Sequence, residues 1–171
     1  FSSEAFVATI RKEIQVAGAL GCRHIVINSG AKSERILKGR FPGLSPQAFI
    51  HYGNFIGDTL KIAVEEGIER ITMGIMIGKA VKLAEGNTDT HSGVVSMNRE
   101  FIAALLSKAG GSADCCRRIY DTALARELWT ILPEDHPFFG LLVQKCSDVC
   151  REFIGDCQLE ILLIPEIPEK N

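Results

Sequence analysis

The sequence contains no apolar run approaching the roughly 18 residues that a membrane-spanning helix needs. It also lacks the charged start, short apolar stretch and small-residue cleavage site of a secretory signal. Together these absences predict a cytoplasmic protein with no membrane partner. Positive charge is not in excess either: 19 Lys and Arg stand against 21 Asp and Glu, for a net charge of −2. That is too little cation to cover a face against a phosphate backbone, so nucleic acid is not an expected partner. No internal repeat or low-complexity tract interrupts the 171 residues, a length that suits a single domain with a sizeable core.

C-x-x-C pairs are missing as well. Of the six cysteines, Cys115 and Cys116 are adjacent, and Cys146 and Cys150 sit one helical turn apart ahead of Cys157. A chain this long folds without disulfide staples, so the cysteines read as buried, reduced thiols that pack as small hydrophobes. The competing reading is a metal held by Cys146 and Cys150; no protein-bound metal is the expectation. Two nucleotide motifs are absent too. Gly74-Ile75-Met76-Ile77-Gly78-Lys79 has three residues between its glycines and Ala80 after the lysine, where a phosphate loop requires four and then Ser or Thr. Nor does a G-x-G-x-x-G follow the first strand.

What is present is an alternation of two periodicities. Phe6, Ile10, Ile14 and Ala17 recur at helical spacing, with Ser2 or Ser3 as cap and Gly18 and Gly21 as terminators. His24 to Asn28 is a β-branched run that reads as a buried strand, followed by a long loop holding Lys32, Arg35, Lys38 and Arg40. Ala48 to Tyr52 reads as a second strand, although Ser45-Pro46 equally opens a helix. Asn54 is expected to cap a helix ending at Gly67, and Arg70 to Ile77 makes a third strand. Further helices are expected over Asn98 to Ala109, Ala113 to Leu132 and Pro137 to Ile154. Leu159 to Ile164 is a last strand that Pro165 stops, with a frayed tail beyond. The predicted fold is α/β: a Rossmann-like three-layer domain with a mostly parallel sheet and a helical C-terminal part.

On that topology Asn28 to Arg35, Gly53-Asn54 and Met76 to Lys79 each follow a strand. Three polar, glycine-containing loops then meet at the carboxyl edge of the sheet, where open α/β sheets bind ligands. Glycines there allow close backbone approach, and the helix starts behind them offer unpaired N–H groups. Such an edge suits a nucleoside or carboxylates. The densest polar stretch lies just behind the third strand: Gly78-Lys79-Ala80-Val81-Lys82-Leu83-Ala84-Glu85-Gly86, then Asn87-Thr88-Asp89-Thr90-His91-Ser92.

This stretch resembles the GK-x-x-KLA-x-G…THS signature of the CbiD family, the cobalt-precorrin-5B C1-methyltransferases. Gly53-Asn54-Phe55-Ile56-Gly57 is similar to the family's GNFIG segment, and Asn28-Ser29-Gly30-Ala31-Lys32-Ser33-Glu34-Arg35 to its Gly/Ser loop. The likeness runs in order as far as about Gly111. Two positions depart from it: the family commonly has histidine where Met76 stands and aspartate where Ser96 stands, so neither is assigned chemistry.

The resemblance implies S-adenosylmethionine as methyl donor and a cobalt-corrinoid tetrapyrrole as acceptor, methylated at C1 to give cobalt-precorrin-6A. It also implies that the chain, which begins at Phe1 without methionine, is the C-terminal half of a two-domain enzyme whose N-terminal domain is missing. On the matched motifs, His91 and Lys79 are expected to be catalytic and Lys82, Thr90, Ser92 and Arg35 to bind the many-carboxylate substrate. Asn28, Gly30, Ser33, Gly53 and Asn54 are expected to hold the donor. Plainer roles stand beside these. Lys79 and Lys82, three apart on a helix, also fit a solvated face. Thr90-His91-Ser92 also fits a turn and helix cap, and Glu100 a first-turn acid opposite the helix dipole. The alternative function is a non-catalytic ligand-binding or assembly domain, with the chemistry in the other half.

Overall fold

The computed structural model describes residues 2–90 and 97–166. Four strands form one parallel sheet in the order β2-β1-β3-β4: β1 is His24–Asn28, β2 Phe49–His51, β3 Arg70–Met76 and β4 Gln158–Ile164. Register is set by apolar pairs such as Val26 with Phe49, Ile25 with Ile71 and Ile71 with Leu159. Among the described residues the helices are α1 (Ser3–Ala19), α2 (Ala31–Arg40), α3 (Ile56–Glu65), α4 (Ile77–Ala84), α5 (Arg99–Lys108), α6 (Ala113–Tyr120), α7 (Leu128–Ile131) and α8 (Pro137–Ile154). The parallel sheet with helices on both faces is the predicted α/β architecture.

The two faces are unequal. The larger core joins Ile10 and Ile14 of α1, Ile56 and Leu60 of α3, Ala80 and Leu83 of α4, and Phe138 and Leu142 of α8 to Ile25, Ile27 and Ile71 of the sheet. The smaller packs Leu37 of α2 on Val26, Phe49 and Ile164. Each of the fully buried Ile and Leu side chains contributes about 1.5–3 kcal/mol relative to exposure. The outer helices are set by local chemistry. In α1, Ser2 Oγ accepts from Ala5 N–H at 3.1 Å, and Gly21, at φ +86°, takes the chain out of the helix. In α8, Pro137 opens the first turn and His136 Nδ1 accepts from Phe138 N–H at 3.0 Å.

Several expected boundaries are corrected. The long loop carrying Lys32, Arg35, Lys38 and Arg40 is helix α2. It buries only Ser33 and Leu37, so it has almost no apolar stripe to betray it, and its start is tied by Ser33 Oγ to Gly30 N–H and C=O at 3.2 and 3.0 Å. Asn54 is not a helix cap: α3 starts at Ile56 with Phe55 at the cap position. The third strand stops at Met76, and Ile77 already belongs to α4. The single helix expected over Ala113 to Leu132 is broken into α6, a 3-10 turn at Ala125–Glu127 and α7. Glu127 causes the break, its carboxylate accepting from the Ala123 and Leu124 N–H groups at 2.8 and 2.6 Å. Ser45-Pro46 does open a helical turn, a single 3-10 one, and β2 follows it directly.

All six cysteines are free thiols, with Cys146 and Cys150 fully buried under the α4–α8 contact. Burial pushes both thiols up, Cys150 to about 12. Among the described residues no cluster of His, Cys, Asp and Glu is set to hold a metal.

Candidate functional site

Strand β1 lies between β2 and β3. The connection after β1 runs through α2 on one face, and β3 leads into α4 on the other. The carboxyl ends of β1 and β3 therefore diverge, and a crevice opens between them. A cavity of about 420 Å³ occupies this crevice, lined by Ser29 after β1, Asn54 after β2, Met76, Gly78, Lys79 and Lys82 at the β3–α4 junction, Thr90, and Glu166 after β4. A larger hollow of about 560 Å³ runs along α1 between Ser3 and Gln15, but it is shallower and its lining is mostly apolar. The crevice has the smaller volume and the greater density of converging polar groups.

Lys79 is the most constrained of these groups. Its ammonium donates to the Gly53 carbonyl and stands over the Tyr52 ring, 5.5 Å from the centroid. Partial burial lowers its pKa below the ordinary lysine value, and the charge of Lys82 lowers it further. Tyr52 is fully buried and donates its hydroxyl to Gly74 C=O at 2.8 Å, so the platform is locked to β3. Gly53 has to be glycine. Its φ is +57°, and a Cβ there would lie 2.7 Å from the Phe6 ring of α1.

The other wall is a strap, Thr88–Thr90, laid against the start of α3. Thr88 C=O accepts from Ile56 and Gly57 N–H at 3.0 and 3.3 Å, Thr90 N–H donates to Asn54 C=O at 3.0 Å, and Phe55 bridges Asp89. Lys82 Nζ reaches Thr90 C=O at 3.4 Å from the helix side. Gly57 completes the fit, because a Cβ there would come within 3.0 Å of Thr88. Thr90 is only 2% exposed, and its hydroxyl has no hydrogen-bond partner among the described residues.

The residues singled out from sequence thus take three positions. Lys79, Lys82, Thr90 and Asn54 line the cavity, and Gly53 touches it through the carbonyl that holds Lys79. Asn28 and Ser33 turn inward. Asn28 donates to Ile50 C=O at 3.3 Å and accepts from Gly30 N–H at 3.2 Å, while Ser33 secures the Ser29-Gly30 turn. Gly30 is in that turn, and Arg35 and Lys32 are exposed on α2, outside the cavity lining. His91, Ser92 and Ser96 lie outside the described residues. Tyr52 and Glu166 are outside the set predicted from sequence, whereas Gly78 opens the signature stretch. Tyr52 ends the expected second strand and Glu166 falls in the expected tail, and no local pattern marks either.

Chemically, the crevice offers two ammonium groups, a helix start, three uncharged hydrogen-bonding side chains and one carboxylate. It can hold a ligand that is anionic at one end and polar along its length.

Residues 89–166 match the family model described as CbiD, C-terminal domain. The chain is 36% identical over 167 residues to the cobalt-precorrin-5B C(1)-methyltransferase of Prosthecochloris aestuarii, covering 96% of this chain and 45% of that protein. It is 34% identical over 166 residues to the protein of that name from Geobacillus sp. strain WCH70, covering 95% and 46%. It is likewise 34% identical over 158 residues to the one from Thermus thermophilus, covering 91% and 43%. The chain therefore spans about half the length of the curated relatives it matches. No solved structure matches it.

Proposed function

The chain belongs to the CbiD family, and from that premise we propose that it is the C-terminal half of an S-adenosylmethionine-dependent enzyme that methylates C1 of cobalt-precorrin-5B. The observation that carries this reading is the crevice itself: the family signature, Gly78 to Thr90, supplies half of its wall at the position where α/β sheets bind ligands.

The reaction asks little covalent chemistry of the protein. A ring carbon of the macrocycle attacks the sulfonium methyl; the C–CH3 bond forms as the S–CH3 bond breaks, and the electron pair stays on sulfur as a neutral thioether. The protein contributes orientation and charge placement. Lys79 and Lys82 would receive carboxylates, and Asn54 and Ser29 would hydrogen-bond the polar atoms of the nucleoside. Gly53 and Tyr52 act through Lys79, as positioning residues. His91 and Ser92 remain the proposed proton-handling and hydrogen-bonding partners beside Thr90, with Arg35 proposed to meet substrate carboxylates from α2. Asn28, Gly30 and Ser33 are proposed to shape the donor loop from behind.

The second reading, a non-catalytic ligand-binding or assembly domain, draws on the non-titratable Met76 at the cavity and on the inward-turned Asn28 and Ser33. The two are separated by measuring radiolabelled methyl incorporation into cobalt-precorrin-5B under anaerobic conditions, with the proposed full-length protein. Lys79→Ala and Lys82→Ala should each lose incorporation without losing thermal stability. Incorporation unchanged in both would move the chemistry out of this half.

A further inference from the structure

Helix α4 begins without a side-chain cap. Met76 occupies the cap position and cannot accept a hydrogen bond as Ser, Asp or Asn would, so the first-turn N–H groups have no partner from it. The next turn residue, Gly78, lines the cavity, and nothing lies within 4 Å of where its Cβ would be. A helix start alone is common. Here a second observation joins it: Thr90, 2% exposed and lining the same cavity, keeps its hydroxyl without a partner among the described residues. A buried hydroxyl left unpaired is destabilising, and a bound polar group that completes it removes that cost.

Charge defines what that ligand is. The α4 start, Lys79 and Lys82 bring positive charge to the cavity lining, and Glu166 brings a carboxylate. A bare polycarboxylate would gain from the cations and be repelled by Glu166. A zwitterion satisfies both.

We infer that the α4 start, Lys82 and Thr90 form a cradle for the carboxylate of an α-amino-acid end, with Glu166 facing its ammonium. The inference rests on the methyl-donor reading above and deepens it: the donor's methionine end would enter between α4 and the strap, leaving Ser29 and Asn54 for the nucleoside. A carboxylate could also come from the macrocycle, so the test separates the two sources.

The chain, labelled with 15N, is titrated with S-adenosylhomocysteine, with 5′-methylthioadenosine, which keeps the nucleoside thioether and lacks the amino-acid end, with a porphyrin octacarboxylate, and with L-methionine at millimolar concentration. The expected result is that S-adenosylhomocysteine and L-methionine shift the Gly78, Lys79 and Thr90 amides. S-adenosylhomocysteine should also bind roughly tenfold more tightly than 5′-methylthioadenosine.

Gly78→Ala and Thr90→Val should each weaken S-adenosylhomocysteine roughly tenfold while leaving the melting temperature equal or higher, because one improves helix propensity and the other removes an unpaired hydroxyl. Glu166→Gln should weaken S-adenosylhomocysteine and spare the porphyrin. If the porphyrin alone shifts those amides, the carboxylate is the macrocycle's and the amino-acid assignment is overturned. If S-adenosylhomocysteine binds as 5′-methylthioadenosine does, with the three amides silent, the cradle is refuted and the donor site stands elsewhere in the crevice. If S-adenosylhomocysteine fails to bind, the donor reading falls, and L-methionine at the three amides still decides the cradle.

Discussion

The ammonium of Lys79 stands 5.5 Å from the centre of the Tyr52 ring, and the Tyr52 hydroxyl is bonded in turn to the Gly74 carbonyl at 2.8 Å. A charge at the crevice is thereby referenced to two strands at once: Tyr52 follows β2, and Gly74 lies within β3. The ring supports the cation, and the hydroxyl holds the ring.

That coupling separates two variants. Lys79→Ala should lower methyl transfer by roughly ten- to a hundredfold, the rate equivalent of losing a charge-assisted hydrogen bond worth about 1.5–3 kcal/mol, with little change in unfolding. Tyr52→Phe keeps the platform but strips the Gly74 carbonyl of a partner, so it should cost about 1–3 kcal/mol of stability and affect rate less. Thermal unfolding and single-turnover rates on both proteins check this; a Tyr52→Phe protein of full stability and no activity would contradict it.

Gly53→Ala should be destabilising by at least about 1 kcal/mol, since alanine is disfavoured at φ +57° and its methyl would run into the Phe6 ring. The same substitution displaces the carbonyl that holds Lys79, so binding at the crevice should weaken in parallel. Urea unfolding and ligand titration of one preparation measure both effects.

Ile10 is 1% exposed in the main core. Its replacement by alanine should cost about 2–5 kcal/mol, the usual loss on emptying a core site, with the midpoint of chemical unfolding lowered and the slope unchanged. A loss below 1 kcal/mol would place α1 outside the cooperative core.

The buried thiols set an alkaline limit. Cys150 titrates at about 12 in the folded chain against an ordinary 9.0, and Cys146 is shifted in the same direction. Raised folded values mean that the neutral form is favoured by folding. The associated stability is complete below pH 9 and is lost progressively as pH rises from about 9 toward 12. Replacing both cysteines by alanine should flatten that part of the pH–stability curve. In native protein near neutral pH, Ellman's reagent should leave both unreacted.

Much of the architecture was legible because burial writes periodicity into sequence. β1 from His24 to Asn28 and α8 from Pro137 to Ile154 are bounded in the structure where β-branched composition and the proline start put them. α5 likewise begins after Asn98, whose side chain caps it at 3.1 Å. Helix α2 was not legible, because it rests on the thinly covered face of the sheet and contributes little more than Leu37 to a core. The loops that carry the crevice were visible through their glycines and their place after strands. The direction of each side chain within them was not: Asn28 ends β1 and Asn54 follows the neighbouring β2, yet one is spent on Ile50 and the other lines the cavity.

The sequence by itself determined the alternation of strands and helices, the parallel sheet, the edge at which a ligand site could form and the family that the chain resembles. Those follow from local periodicity, turn chemistry and motif, all of which are properties of neighbours along the chain. Only the tertiary structure decided that Tyr52 carries Lys79, that Thr90 is buried without a hydroxyl partner among the described residues, and that Glu166 lines the same cavity as the start of α4. Each of these joins residues from different elements. Their relation is set by strand order and by which face each helix covers, and no stretch of sequence short enough to show a pattern contains both partners.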